Sequence, residues 1–327
     1  MAHDAMPDEP RQSVSEPPAA AGRPRVVLVR DPSCLKPNAA LDAAAVRRML
    51  DEAVTRVTGK AKPLDAWKGL FAPRDRVAVK VNTLGHPTHP VVASSIVDRL
   101  LAAGLPAGRL VIWDRSVAEL RAAGYKIQTD PHEVRCLGTD AFGGPDLRTG
   151  YEPEVAVSGA IGSRFSTIVS RFATALINVP VLKDHSIAGL SGGLKNFFGA
   201  IHNPNKYHDN LCDPYVADVS AHPWIRNKLR LVVVDATYAQ YHGGPGKVPR
   251  CLWPMGALLV GLDPVAVDSV SWYLLDEQRR AKGLKDLAAD GRPPKHVLSA
   301  EKRGLGVAER GRIEVLEVQL APKAGTS

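Results

Sequence analysis

The chain is poor in cysteine and in aromatic residues, and it has no long apolar run. Four cysteines, Cys34, Cys136, Cys212 and Cys251, are scattered over 327 residues without a CxxC or CxxxC pair. That spacing signals neither a structural zinc knuckle nor an iron–sulfur cluster, and no iron–sulfur cluster is expected. Phe, Trp and Tyr together make up 6%, and the basic residues fall in short groups such as RNKLR (226–230) and EQRRAKGLK (277–285). Nucleic-acid binding needs a basic stripe interleaved with aromatics and is discounted. No apolar stretch approaches the roughly 18 residues of a membrane-spanning helix. The first residues have neither the apolar core of a signal peptide nor a twin-arginine motif. The expectation is a cytoplasmic protein with reduced thiols that does not enter a membrane. Also missing are the GxSxG elbow, HExxH, the Walker loop and GxGxxG, each of which would have pointed to one known chemistry.

What is present is an ordinary globular composition, 45% hydrophobic and 23% charged, with a net charge of +8. Charge dispersed in this way reads as solvated surface, with an anion-binding cleft as the alternative. Residues 1–23 are dominated by Pro, Ala, Ser, Glu and Asp and read as a disordered leader. The remainder, 24–327, is long enough for one large domain, with two lobes (24–165 and 166–327) expected around a cleft.

Apolar β-branched runs predict buried strands at Arg25–Arg30, Val77–Val81, Arg109–Trp113, Ala175–Val181, Leu229–Asp235 and Met255–Gly261, with a last one at Arg312–Val318. Four-residue spacing of Leu41, Ala45, Met49, Ala53 and Val57 predicts a helix ended by Gly59. Another is expected from about Val91 to Ala103. Asp263-Pro264 opens a further helix, with Asp263 as N-cap and Asp268 as an acid favoured by the helix dipole. Strand, polar loop, helix, strand is the order of an α/β protein: a Rossmann-like parallel or mixed sheet with helices on both faces. In such sheets ligands sit at the carboxyl ends of strands, which here points to Asn82, His86, His89 and Asp114.

The polar residues that could carry chemistry concentrate between Asp184 and His208, in DHSIAGLSGGLKNFFGAIHNPNKYH. Ser191, Gly192 and Gly193 form a turn whose amides could receive an anion, and Asn196 follows in the same segment. Lys195 adds a charge or, if desolvated, a nucleophilic amine. His185, His202 and His208 share these loops and are candidates for acid–base or metal-binding roles. Asp235, at the end of the most convincing strand, could orient a histidine or bind a ribose hydroxyl, and His242 follows it in a Gly-rich loop. Each of these also has a purely structural reading as a cap, a turn or a surface residue.

At LINVPVLKDH, GGLKNFFG, VVVDATYAQYHGGPG and LDPVAVDSV the sequence resembles the bacterial and archaeal family of unknown function numbered 362. Many of its members carry a ferredoxin-type cysteine cluster or an export signal, and this chain shows neither. The run HSIAGLSGGLK is similar, more distantly, to the histidine–AGxSGG–lysine loop of the lactate racemase family, with the same ten-residue step from His185 to Lys195. That resemblance implies a nickel-pincer nucleotide joined to Lys195, or otherwise a divalent transition metal. It also implies His185 as catalytic acid/base, with His202 or His208 on the metal. Where those racemases have Gly-Thr-His-Arg, this chain has Trp-Asp-Arg-Ser at 113–116, so His86, His89 or His242 would have to act in place of the second histidine, with Asp114 in that loop as a further catalytic candidate. The function implied is an enzyme, isomerase-like or an oxidoreductase, that moves a proton or hydride at carbon in a small carboxylate-bearing substrate. The alternatives are an oxidoreductase or biosynthetic enzyme that uses the same cleft without the pincer, and a non-catalytic carrier of a metal or small anion.

Overall fold

The structure is a computed structural model and describes residues 22–142 and 150–321. The expected leader therefore lies outside the described residues, apart from Gly22 and Arg23.

In chain order the strands are β1 (Arg25–Arg30), β2 (Val77–Val81), β3 (Leu110–Asp114), β4 (Arg135–Gly138), β5 (Ala156–Ser158), β6 (Ile161–Ser163), β7 (Ala175–Val179), β8 (Val181–His185), β9 (Gly189–Leu190), β10 (Leu229–Gln240), β11 (Leu252–Trp253), β12 (Ala257–Gly261) and β13 (Glu314–Gln319). The helices are α1 (Ala43–Thr58), α2 (Pro63–Leu70), α3 (Pro90–Ala102), α4 (Val117–Ala122), α5 (Gly193–Asn196), α6 (Tyr215–Ala221), α7 (Pro223–Arg226), α8 (Pro264–Ala281) and α9 (Lys295–Lys302). Among the described residues, eleven strands form one sheet whose backbone order is β13-β1-β12-β10-β7-β2-β3-β4. All of these run parallel except β12, which is antiparallel to both β1 and β10.

Side-chain alternation explains why helices must cover both faces. In β1, Val26 and Leu28 enter one apolar cluster, while Val27 and Val29 enter the other. The second cluster is closed by α1, α2 and α3, and the first by α6, α8 and α9. The α/β architecture is thus as expected, as a mixed sheet. The division into lobes at 165/166 is not: β2 pairs in register with β7, Val77 opposite Ala175 through Val81 opposite Val179. A single sheet runs through both of the expected lobes.

Two strands run differently from their sequence reading, and both differences build the site. β10 does not stop at Asp235 but continues to Gln240. The apolar run ends at Asp235, yet backbone pairing carries the strand on, because β8 and β11 bond to its overhang. The segment expected as one strand from Ala175 to Val181 divides at Pro180, and its second part continues to His185. Pro180 has no amide hydrogen to give to a ladder. β8 therefore stands on the overhang of β10, above the carboxyl ends of β2, β3 and β7.

α5 begins at the Ser-Gly-Gly turn, and its first amides have a partner inside the protein. Gly193 N donates to Asp268 Oδ1 at 2.6 Å and Leu194 N donates to Asp268 Oδ2 at 2.9 Å. Asp268 lies on α8 and is fully buried, so it caps α5 across the core instead of serving the dipole of its own helix. Gly192 has φ +31°, and a Cβ there would fall 2.5 Å from Asp268 Oδ2, so only glycine fits. Asp268→Ala, which leaves both buried amides without an acceptor, should lower the unfolding free energy by about 2–4 kcal/mol. Urea denaturation of the two proteins measures this, and an unchanged midpoint would remove the capping role.

Candidate functional site

The site gathers at the carboxyl ends of β2 and β3 and on β8. Alternation along β8 sends Lys183 and His185 to one side and Asp184 to the other. Lys183 and His185 line a cleft together with Asn82, Ser191, Lys195 and Asn196, under Leu84 and Pro245. Its enclosed space is about 40 Å³, far below the roughly 300–1,000 Å³ of sites for drug-sized ligands.

Beneath the cleft, Lys80 and Asn178 stand opposite each other on β2 and β7. Lys80 is 1% exposed, and its Nζ donates to Asp114 Oδ1 and to Val81 O, both at 2.6 Å. Asp114 also accepts from Thr83 N (2.9 Å), Thr83 Oγ1 (2.8 Å) and Arg115 N (2.8 Å). All of its lone-pair directions are engaged, so it orients the strand ends and is not the catalytic group that the sequence suggested. Asn196 donates to Asn178 Oδ1 at 2.7 Å, while Asn178 donates to Gly193 O at 2.7 Å. This chain of amides fastens α5 to the sheet. The backbone of Gly199 runs so close that a Cβ there would come 2.7 Å from Lys80 Nζ.

Lys183 is the functional residue that sequence reading missed. It is 1% exposed, and its Nζ donates to Asn82 Oδ1 (2.8 Å), Leu84 O (2.7 Å) and His86 O (2.8 Å). Burial, and next the Lys195 charge, push its ammonium down to about 7. The signal was available: Lys183 and His185 are two residues apart on a strand and so share a face. Lys195 is partly buried, and its amine lies 3.2 Å from His208 Nε2 and over the Phe198 ring. Desolvation pushes Lys195 down to about 8.

The backbone sets the tautomers of His185 and His208. His185 Nδ1 accepts from Ile187 N at 3.1 Å and from Ala188 N at 3.2 Å. It therefore carries a lone pair, and Nε2 carries the hydrogen. Burial, then the charges of Lys195 and nearby groups, push His185 down to about 2. With Nδ1 taken up by two amides, the ring is held in the form that can donate from Nε2. His208 is the reverse: Nδ1 donates to Pro204 O at 3.0 Å, which leaves the Nε2 lone pair facing Lys195. Burial and then Lys195 lower its pKa. His296 is fully buried, and neither ring nitrogen has a partner. Burial and the Lys195 charge push it down to about 3.

Other expected residues are elsewhere. His202 is exposed and packs edge-on against Tyr151. Among the described residues no three His, Cys, Asp or Glu side chains converge as a metal site. Asp235 is buried in the prolonged β10, where it accepts from His89 N (2.8 Å) and from Thr237 N and Oγ1 (3.0 and 2.6 Å). It ties the Asn82–His89 loop to the sheet. His242 is exposed and belongs to a different cluster, 4.0 Å from Asp184 Oδ2 and 3.3 Å from an Arg279 nitrogen. The amides of Gly193 and Leu194 are held by Asp268, so the glycine turn shapes the cleft without offering these donors to a ligand. Of the predicted set, His185, Ser191, Lys195, Asn196, Asn82 and His208 do meet.

A protein-family model described as a domain of unknown function, DUF362, matches residues 77–273, which include every residue named in the cleft. None of the curated proteins matches. Among solved structures, the chain is similar to a Thermotoga maritima protein, a Northeast Structural Genomics Consortium target, with 14% identity and a TM-score of 0.45. The match covers 72% of this chain and 59% of that one, so this chain spans less than two thirds of its length.

The tautomer of His185 can be checked directly. In protein labelled with 15N-histidine, its Nδ1 should appear unprotonated and Nε2 protonated, without movement between about pH 5 and about pH 8. A resonance that titrates in this window and is absent from His185→Gln would contradict the assignment.

Proposed function

From the premise that the chain belongs to the DUF362 family of unknown function, we propose that the cleft binds a small carboxylate-bearing substrate and moves a proton at a carbon next to the carboxylate. The observation that carries this reading is the polarity of the lining. The cleft presents amines, an imidazole N–H, a hydroxyl and amides, while the carboxylates around it are engaged elsewhere. Asp114 is held by Lys80 and Thr83, Asp268 by Gly193 and Leu194, and Asp184 by Gly244 N and Arg292. An anion entering this space meets donors on its sides and no competing charge.

Roles follow from the hydrogen bonds. All three Nζ hydrogens of Lys183 are directed at protein oxygens, so its contribution is charge and the shaping of the loop Asn82–His86. Lys195, Ser191 and the Nε2–H of His185 are the direct donors. His208 Nε2, with its lone pair, is the proton acceptor. The Nε2–H of His185 would stabilise negative charge that develops on the carboxylate side, acting as a neutral electrophile.

The pincer nucleotide does not fit this arrangement. Its anchor and its later histidine would be Lys195 and His208, which do meet. But the turn amides suited to a nucleotide phosphate are capped by Asp268. The reading therefore proceeds through protein groups alone, with Lys195 as a plain amine. Intact mass of the purified protein checks this: an unmodified chain is expected.

Hydrogen–deuterium exchange at carbon, followed by proton NMR in heavy water with lactate, pyruvate, glycolate and malonate as probes, tests the activity. Exchange of at least one probe is expected, reduced by about 10²–10⁴ in His208→Gln. Lys195→Ala should weaken probe binding by about tenfold or more. Binding without exchange would leave a carrier. Neither binding nor exchange with any probe would end the proposal.

A further inference from the structure

We propose that Lys195 is a covalent catalytic residue that captures an aldehyde or 2-oxo acid as an imine. This rests on the reading of the cleft as a site for a small carboxylate, and it narrows the substrate to one that also bears a carbonyl.

Two lysines line the cleft, and their hydrogen bonds give them different capacities. Lys183 Nζ is enclosed by three oxygen acceptors at 2.7–2.8 Å. Its hydrogens are all in use and its position is fixed, so its nitrogen cannot turn a lone pair toward a ligand. Lys195 Nζ has a single side-chain partner, His208 Nε2 at 3.2 Å. No carboxylate pairs with it among the described residues. An ammonium without a counter-ion, beside a second amine and in a desolvated wall, is the environment in which a lysine becomes a nucleophile. The nearest basic nitrogen is on a ring whose other nitrogen donates to Pro204 O, so the ring is turned to take a proton from the amine.

The step balances without any other reactant. Lys195 passes a proton to His208 Nε2, and its lone pair forms a C–N bond to the carbonyl carbon as the C=O π pair moves to oxygen. One proton moves from the new nitrogen to the alkoxide oxygen to give the carbinolamine, whose nitrogen lone pair then expels the hydroxyl as water with the proton returned from His208, leaving a protonated imine. The product is an imine, formed from amine and carbonyl with loss of one water. The Nε2–H of His185 can donate to the carboxylate or to the oxygen during this sequence, but it keeps its hydrogen. Lys183, two strand positions before His185, supplies the second positive charge for the carboxylate. The imine nitrogen would then act as the electron sink for proton removal at the adjacent carbon, the chemistry assigned to the cleft above.

Reductive trapping tests this on the full chain. The protein is incubated with glyoxylate or pyruvate and sodium cyanoborohydride, then analysed by intact mass and peptide mapping. One adduct per chain is expected, on Lys195, with a trapping rate that rises toward about pH 8 as the amine loses its proton. Lys195→Arg, which keeps the charge, should lose the adduct by at least about tenfold while still binding malonate in calorimetry. Circular dichroism of that variant confirms that it is folded. Adduct on Lys183 or spread over surface lysines would overturn the proposal. So would absence of adduct in a wild-type protein that binds malonate, and in that case the carboxylate site stands. Loss of both adduct and malonate binding in the wild type removes the carboxylate reading together with this one.

Discussion

A buried amine is the constraint on which the rest of this site depends. Removing an ammonium from water is costly enough that a protein must pair it with a counter-ion, surround it with dipoles or let it lose its proton. Three lysines meet at the carboxyl ends of the central strands, and each is treated differently. Lys80 is paired with Asp114. Lys183 is surrounded by an amide oxygen and two backbone carbonyls. Lys195 faces an uncharged imidazole, which can accept a hydrogen but cannot neutralise a charge. The treatment is graded: a structural ion pair, an ammonium fixed among dipoles, and an amine with a neutral partner.

That gradation needs an unusual distribution of acids. The carboxylates nearest the cleft are turned from it and held by backbone amides or by arginine. Asp184 is the clearest case. It shares β8 with Lys183 and His185, yet strand alternation points it toward Gly244 N, Arg279 and Arg292. Arg292 also donates to His185 O at 2.9 Å, so the same acid cluster that balances charge behind the strand fixes the backbone from which His185 projects. Asp268 serves the other wall. Burial pushes its carboxyl up to about 7 while two amide donors oppose that rise, so a carboxylate in the core is tolerated only because α5 begins there. The turn and the acid are one structural unit, and Gly192 is the residue that lets them touch.

Much of the scaffold was legible in the sequence because it follows from periodicity. β1 and β2 have the bounds expected from their apolar runs, and α1 begins two residues later than expected, where Asp42 caps it. The site was half legible. Glycines, histidines and Lys195 in one polar segment marked the place, since no packing demand explains such a cluster. What could not be read was which groups are already bonded. Asp268 sits 75 residues from Gly193, and nothing local in either segment announces the contact. Asp235 was misread for a related reason: the hydrophobic run ends there, but the strand is prolonged by pairing with segments distant in sequence. Lys183 was missed because the strand was expected to end at Val181, which left the lysine in a polar loop instead of on a strand face with His185.

The histidine–glycine–lysine segment shows why spacing is insufficient to transfer a role. The ten-residue step brings His185 and Lys195 to one cleft, as the racemase-like pattern implies. Yet a histidine's chemistry is set by what its second nitrogen touches. In this chain the turn after β8 folds back so that two amides bond Nδ1, and protonating that ring would break both bonds and add a third charge beside two amines. The hydrogen on Nε2 is therefore held in place by the backbone, and of the two rings the open lone pair is on His208 Nε2. Equal spacing thus leaves the state of each ring to be set by the backbone of the three residues after a strand.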